Sequence, residues 1–299
     1  MRFLKASLAL LALGLLPAQV TLGGPQPGPM GAESGPNRAQ QWLIPSSDAA
    51  IAAHALLFRP IGDGPFRLAV IAHASTQNVL RRAQMPQPEY RALAAFLVAR
   101  GFAVLVPERL GHGASGGAYL EDQGGCDDAV YDHSGRATAD QIALAMEFLR
   151  AQPFIRKDGA VIIGHSAGGW GALALAGEDP KAVSAIIAFA PGRGGHANDF
   201  PNQVCAPHTL IAAAGLFGRG ARVPVTWLVA ANDSYFSPEL SRKMVEAFRA
   251  GGGRVDYRVL PASGSEGHWM VETETGVTLA AAELERALKL QEPRTIRPR

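Results

Sequence analysis

The chain has 299 residues, 47% hydrophobic and 18% charged, with 28 Lys and Arg against 26 Asp and Glu and two cysteines. That hydrophobic share excludes a disordered chain, and a formal charge of +2 gives no basic footprint for nucleic acid. Two cysteines make neither a disulfide scaffold nor a zinc module, and the length suffices to bury one large α/β core.

Arg2 and Lys5 precede an apolar run from Ala6 to Leu16, followed by Pro17, Gly23, Gly24 and Pro25. This is the pattern of a secretory signal peptide, expected over residues 1–23 with a cut between Ala18 and Gly24. The run is shorter than the roughly 20 residues of a membrane span, and no cysteine near the cut offers a lipid anchor. An exported protein, periplasmic or secreted and without stable membrane association, is therefore expected. Removing Arg2 and Lys5 leaves 26 basic and 26 acidic residues, so attraction to polyanions is not expected. Residues 24–40, rich in Gly and Pro without apolar periodicity, read as a flexible leader, and 41–299 as a single domain.

Strands are expected at 51–58, 67–72, 102–106, 160–163, 183–189, 223–230 and 254–260, and helices at 89–100, 136–152, 167–177, 238–250 and 277–290. This alternation predicts an α/β fold: a mostly parallel central sheet with helices on both faces. Two loops, 107–135 and 191–207, exceed the usual length of about 2–6 residues and follow strands, where open α/β sheets bind ligands. The acid-rich stretch of the first loop, which includes Tyr119 and Glu121, fits no calcium loop and reads as solvated; no metal is expected.

Residues 161–176, VIIGHSAGGWGALALA, place Gly164-His165-Ser166-Ala167-Gly168 between a β-branched strand and a small-residue helix. A G-x-S-x-G there is a nucleophile elbow, whose glycines leave room for a strained turn that presents the serine hydroxyl. The base and its orienting acid must follow in the order acid, then histidine. Of the histidines after Ser166, only His268 follows the last strand, in PASGSEGHWM, and Asp233 ends the strand between them. Ser166, Asp233 and His268 are therefore the expected catalytic residues. Asp256 alternates toward solvent and Glu266 reads as a loop charge. The oxyanion is expected at the backbone N–H groups of Ala167 and of Ala74, with Ser75 next in line for the second. His73 is expected only to position that loop. Ser75, Tyr119, Tyr235 and Phe236 are candidate substrate contacts.

These segments resemble the α/β-hydrolase superfamily, in its dienelactone-hydrolase-like branch, over roughly residues 50–290. The likeness rests on IAHAS, PERLGHGASGG, GHSAGG, Asp233 in AANDSYF and Gly267-His268. It departs at His73-Ala74, where the family often has His-Gly, and at Ser166, where members that cleave dienelactone carry cysteine. The resemblance implies two-step acyl transfer on a small to medium carboxylic ester, with no metal or organic cofactor. A serine peptidase on the same triad is the alternative, although peptidase relatives add a propeller or large cap. A non-catalytic binding protein on the same fold is a third reading, disfavoured because all three triad positions are filled. The sequence gives no sign of oligomeric state.

Cys126 and Cys205 lie one in each long loop, and an even pair in an exported chain predicts a disulfide. It would tie the two loops into a small fixed lid.

Overall fold

The computed structural model describes residues 26–289, and the expected signal peptide lies outside them. Nine strands form one sheet: β1 (Gly28–Ser34), β2 (Ala39–Pro45), β3 (Ala52–Phe58), β4 (Arg67–Ala72), β5 (Phe102–Pro107), β6 (Ala160–His165), β7 (Val183–Phe189), β8 (Val225–Ala230) and β9 (Val255–Leu260). Their spatial order is β1-β2-β3-β5-β4-β6-β7-β8-β9. The first three pairings, up to β3 with β5, are antiparallel, and every pairing from β5 to β9 is parallel.

The parallel strands are continuous apolar runs because both faces are covered. In β5, β6 and β8 every residue is buried. Successive residues of β4 feed opposite layers: Leu68, Val70 and Ala72 one, Ala69 and Ile71 the other. The first layer is closed by α3 (Tyr131–Arg150), α4 (Ala167–Gly177), α5 (Pro207–Gly218) and α6 (Pro238–Ala250). The second is closed by α2 (Arg91–Val98) and α7 (Glu274–Lys289). The edge strand β9 is half exposed and presents Asp256 and Arg258, charges that discourage further pairing.

The flexible leader is corrected by the structure: residues 28–34 are β1, paired antiparallel with β2 through Pro29 opposite Trp42 and Met30 opposite Gln41. Apolar periodicity could not reveal β1, because it is an edge ribbon exposed for most of its length and held by backbone bonds. Glu33 pins it, accepting from both Arg38 and Arg59. The ordered sheet thus begins upstream of residue 41. Three helical features were also not expected as such. These are the short α1 (Val79–Ala83), α5 in the region after the second long loop, and an α3 that starts at Tyr131 rather than Arg136. Among the described residues no helix is long and apolar enough to cross a membrane.

Candidate active site

Ser166 sits between β6 and α4 with φ 54° and ψ −117°, a conformation that a serine adopts only under constraint. Its own amide donates to the Phe189 carbonyl at 2.9 Å, and its carbonyl accepts from Trp170 N at 2.8 Å and Gly192 N at 3.2 Å. The flanking glycines are obligatory. A Cβ on Gly168 would come 2.1 Å from the Ala72 carbonyl oxygen, and one on Gly164 2.4 Å from that of Gly168. Ala167 opens α4, so its amide has no partner within the helix and stands at the positive end of the helix dipole.

His268 lies in a 3₁₀ turn after β9 and is buried. Its Nδ1 is 3.1 Å from Asp233 Oδ2. Asp233 Oδ1 accepts from the amides of Tyr235 at 2.9 Å and Phe236 at 2.8 Å. One oxygen thus holds an Asx-type turn after β8 while the other holds the imidazole. Burial lowers the His268 pKa below the usual 6.5, and the hydrogen bond to Asp233 opposes that shift. Ser166 and His268 line one cavity of about 520 Å³ together with Ser75, Ala167, Tyr235 and Phe236. The expected triad residues and three of the four expected contacts are therefore brought together.

Tyr235 stacks on His268, with ring centroids 4.2 Å apart, and on its other side meets His196 at 3.5 Å. Glu266 is tied into this loop rather than to the imidazole: its Oε1 accepts from the amides of His268 at 2.9 Å and Ser234 at 3.1 Å.

Two of the expected residues are otherwise engaged. The Ala74 amide donates to the Tyr90 hydroxyl at 3.1 Å. Ser75, the next residue, stands in the cavity wall beside Ser166 and Ala167. Tyr119 does not line this cavity: its hydroxyl accepts from Arg193 Nη1 at 2.9 Å and its ring lies under the Arg82 guanidinium. His73 does position its loop, since its Nε2 accepts from Arg109 N at 3.1 Å while Nδ1 meets the Ala74 carbonyl at 2.5 Å.

The acid-rich loop is not uniformly solvated either. Glu121 is fully buried between Arg109 and Arg193, and these cations hold its carboxyl well below the ordinary 4.5 despite burial. Arg193 reaches the cavity wall, so the ion cluster underlies the site. The disulfide between Cys126 and Cys205 is formed, and Cys205 also lines the cavity.

A second cluster, centred on the buried His165 and Tyr90, had no sequence signal. His165 Nε2 donates to the His268 carbonyl at 2.8 Å, and its Nδ1 lies 2.9 Å from the Tyr90 hydroxyl and 3.2 Å from Glu272 Oε1. Tyr90 and His165 thereby join the loop after β4, the elbow and the histidine loop. A lone tyrosine at the head of α2 and the variable position of G-x-S-x-G reveal none of this before folding.

A model of the prolyl oligopeptidase family matches residues 88–192, a span that holds Ser166 but neither Asp233 nor His268. No curated protein matches the chain in sequence. An esterase of Pyrococcus furiosus is similar in structure, with 16% identity and a TM-score of 0.59 over 85% of this chain and 92% of that one. Est1E of Butyrivibrio proteoclasticus, solved with ferulic acid bound, is 15% identical with a TM-score of 0.57, over 83% of this chain and 99% of that one. A puromycin-hydrolyzing peptidase of Mycobacterium tuberculosis is 16% identical with a TM-score of 0.60, over 88% of this chain but 41% of that one. At these identities the likeness is one of fold.

Proposed function

We propose that this chain, an α/β-hydrolase by its fold, is an exported serine hydrolase that cleaves a small to medium carboxylic ester. The observation that carries the reading is Ser166, held at φ 54° in one cavity with a His268 that is itself bonded to Asp233. The Cys126–Cys205 disulfide supports export, since such bonds persist in oxidising compartments.

In this reading His268 donates its Nδ1 proton to Asp233, which leaves Nε2 as the base that takes the Ser166 proton as the hydroxyl attacks the ester carbonyl. Asp233 holds the tautomer and stabilises the imidazolium. The amides of Ala167 and Ser75 receive the oxyanion, Ser75 in place of the occupied Ala74. His268 returns its proton to the departing alcohol, and water activated by His268 then releases the acyl group from Ser166.

A series of p-nitrophenyl esters of increasing acyl length, run beside matched p-nitroanilides, tests the proposal. Ester turnover that Ser166→Ala abolishes is expected. Absence of turnover on every substrate, with Ser166 unlabelled by a fluorophosphonate, would overturn it. The match to the prolyl oligopeptidase family favours a second reading, a serine peptidase on the same residues. Preferential anilide cleavage is its signature.

A further inference from the structure

His165 is buried, and both of its ring nitrogens meet polar partners. The strained turn accounts for Gly164 and Gly168 but not for a histidine between them. Nor does His165 line the cavity of Ser166 or the neighbouring one walled by Met85, Tyr90 and Trp269.

Its Nε2 bonds the catalytic histidine. The His268 carbonyl can only accept, so Nε2 carries the proton of the 2.8 Å bond between them. The opposite edge of the ring is anchored. Nδ1 lies 2.9 Å from the Tyr90 hydroxyl and 3.2 Å from Glu272 Oε1. Tyr90 is itself held, since its hydroxyl accepts from the Ala74 amide at 3.1 Å. Burial raises the Glu272 pKa and contacts with His165 and Tyr90 lower it. The net is a fall below the ordinary 4.5, so Glu272 presents a carboxylate. Trp269 lies edge-on to the His165 ring with centroids 5.5 Å apart, and the His268 ring stands at 5.1 Å.

A catalytic base works only when held within about 0.5 Å of its productive position. Asp233 restrains the ring of His268 through Nδ1, but His268 sits in a 3₁₀ turn beyond β9 and its main chain needs its own restraint. That restraint comes from both sides. Its amide donates to Glu266 Oε1 at 2.9 Å, and its carbonyl accepts from His165. His165 directly precedes Ser166, so its bond ties the base to the nucleophile's own backbone.

We propose that His165 is a positioning residue for the acyl transfer. Through its bond to the His268 carbonyl it sets the distance between the base and Ser166. Tyr90 and Glu272 act through His165 by fixing its Nδ1 edge. The proposal rests on the serine-esterase reading and adds a residue to it.

His165→Asn and His165→Gln separate positioning from packing. The glutamine carboxamide nitrogen stands where Nε2 stands and donates to the His268 carbonyl. The asparagine nitrogen reaches only the place of Nδ1, so it serves Tyr90 and Glu272 but not His268. On a p-nitrophenyl ester His165→Asn should lower kcat by about 10²-fold, the cost of an ångström-scale misplacement. KM should hold within about twofold, as His165 lines neither cavity. His165→Gln should exceed His165→Asn in kcat by about tenfold or more, the scale of one hydrogen bond. Equal kcat in the two variants, or the higher value in His165→Asn, overturns the assignment. If His165→Asn does not fold, the half-exposed Glu272→Leu replaces it. A loss in kcat of about fivefold or more then sustains the proposal, and no loss overturns it.

The low-field proton resonance of the His268 Nδ1–H bonded to Asp233 is read without turnover. It should persist in the wild type and His165→Gln and be lost to exchange in His165→Asn. If no ester is turned over and a fluorophosphonate leaves Ser166 unlabelled, the esterase reading itself fails. This resonance then decides alone: its loss in His165→Asn sustains positioning by His165, and its persistence there overturns it.

Discussion

At the scale of single residues, Ser166 and its glycines show how a backbone constraint becomes chemistry. The clash a Gly168 side chain would make is with backbone, which cannot swing aside. Gly168→Ala is expected to destabilise the protein by at least about 2 kcal/mol or to prevent folding, read by denaturant titration. For His268 the sign of the pH effect follows from burial. Desolvation penalises the imidazolium, so the pKa falls and the neutral base survives to lower pH. The acid limb of kcat/KM is expected below pH 6.5, and a midpoint above 7 would assign the limb to another group. Asp233 opposes this shift and fixes the tautomer. Asp233→Asn is expected to keep the fold, because the Oδ1 turn survives, while kcat falls by about 10⁴-fold. Near-normal kcat would mean that another acid orients His268.

At the scale of elements, the loop after β5 and the start of the loop after β7 meet through Glu121. Arg109 and Arg193 both converge on this one carboxylate, and all three are buried. Removing the shared anion strands two cations away from water. Glu121→Gln is expected to cost about 3–5 kcal/mol, measured as a shift in the urea midpoint at constant slope. The pH sign is also fixed. A carboxyl whose folded pKa lies below its ordinary 4.5 stabilises the fold above about pH 4.5, and the contribution fades as pH falls below that value. Glu121→Gln should therefore be less acid-sensitive than the wild type, and equal acid sensitivity would place the linkage elsewhere. The same cluster explains the misplacement of Tyr119, whose hydroxyl serves Arg193 rather than a ligand.

At the scale of the whole molecule, the Cys126–Cys205 bond closes 79 residues of chain that include α3, β6, α4 and β7. In the chain-entropy view such a closure stabilises by about 4 kcal/mol, which for a domain of this size moves Tm by on the order of 10 °C. Reduction under native conditions is expected to lower Tm by that order. It should also weaken ester turnover, because Cys205 lines the Ser166 cavity and its amide donates to Gly194 at 2.9 Å. An unchanged Tm after complete reduction, checked by thiol titration, would show that the packed sheet alone sets stability.

The parallel strands and the elbow were legible because their signals are local: buried β-branched runs, a G-x-S-x-G in strand–helix register, and an acid and a histidine each just past a strand. The boundaries of β4, α4, β7 and α6 follow from such patterns. Tertiary structure decided whatever depends on a partner distant in sequence. It turned a Gly- and Pro-rich stretch into β1, because an exposed edge ribbon needs a neighbour rather than an apolar face. It engaged the Ala74 amide with the Tyr90 hydroxyl, sixteen positions away. It buried Glu121 because two arginines compensate the charge, and charge compensation is a property of packing that a residue's own neighbours in the chain do not disclose.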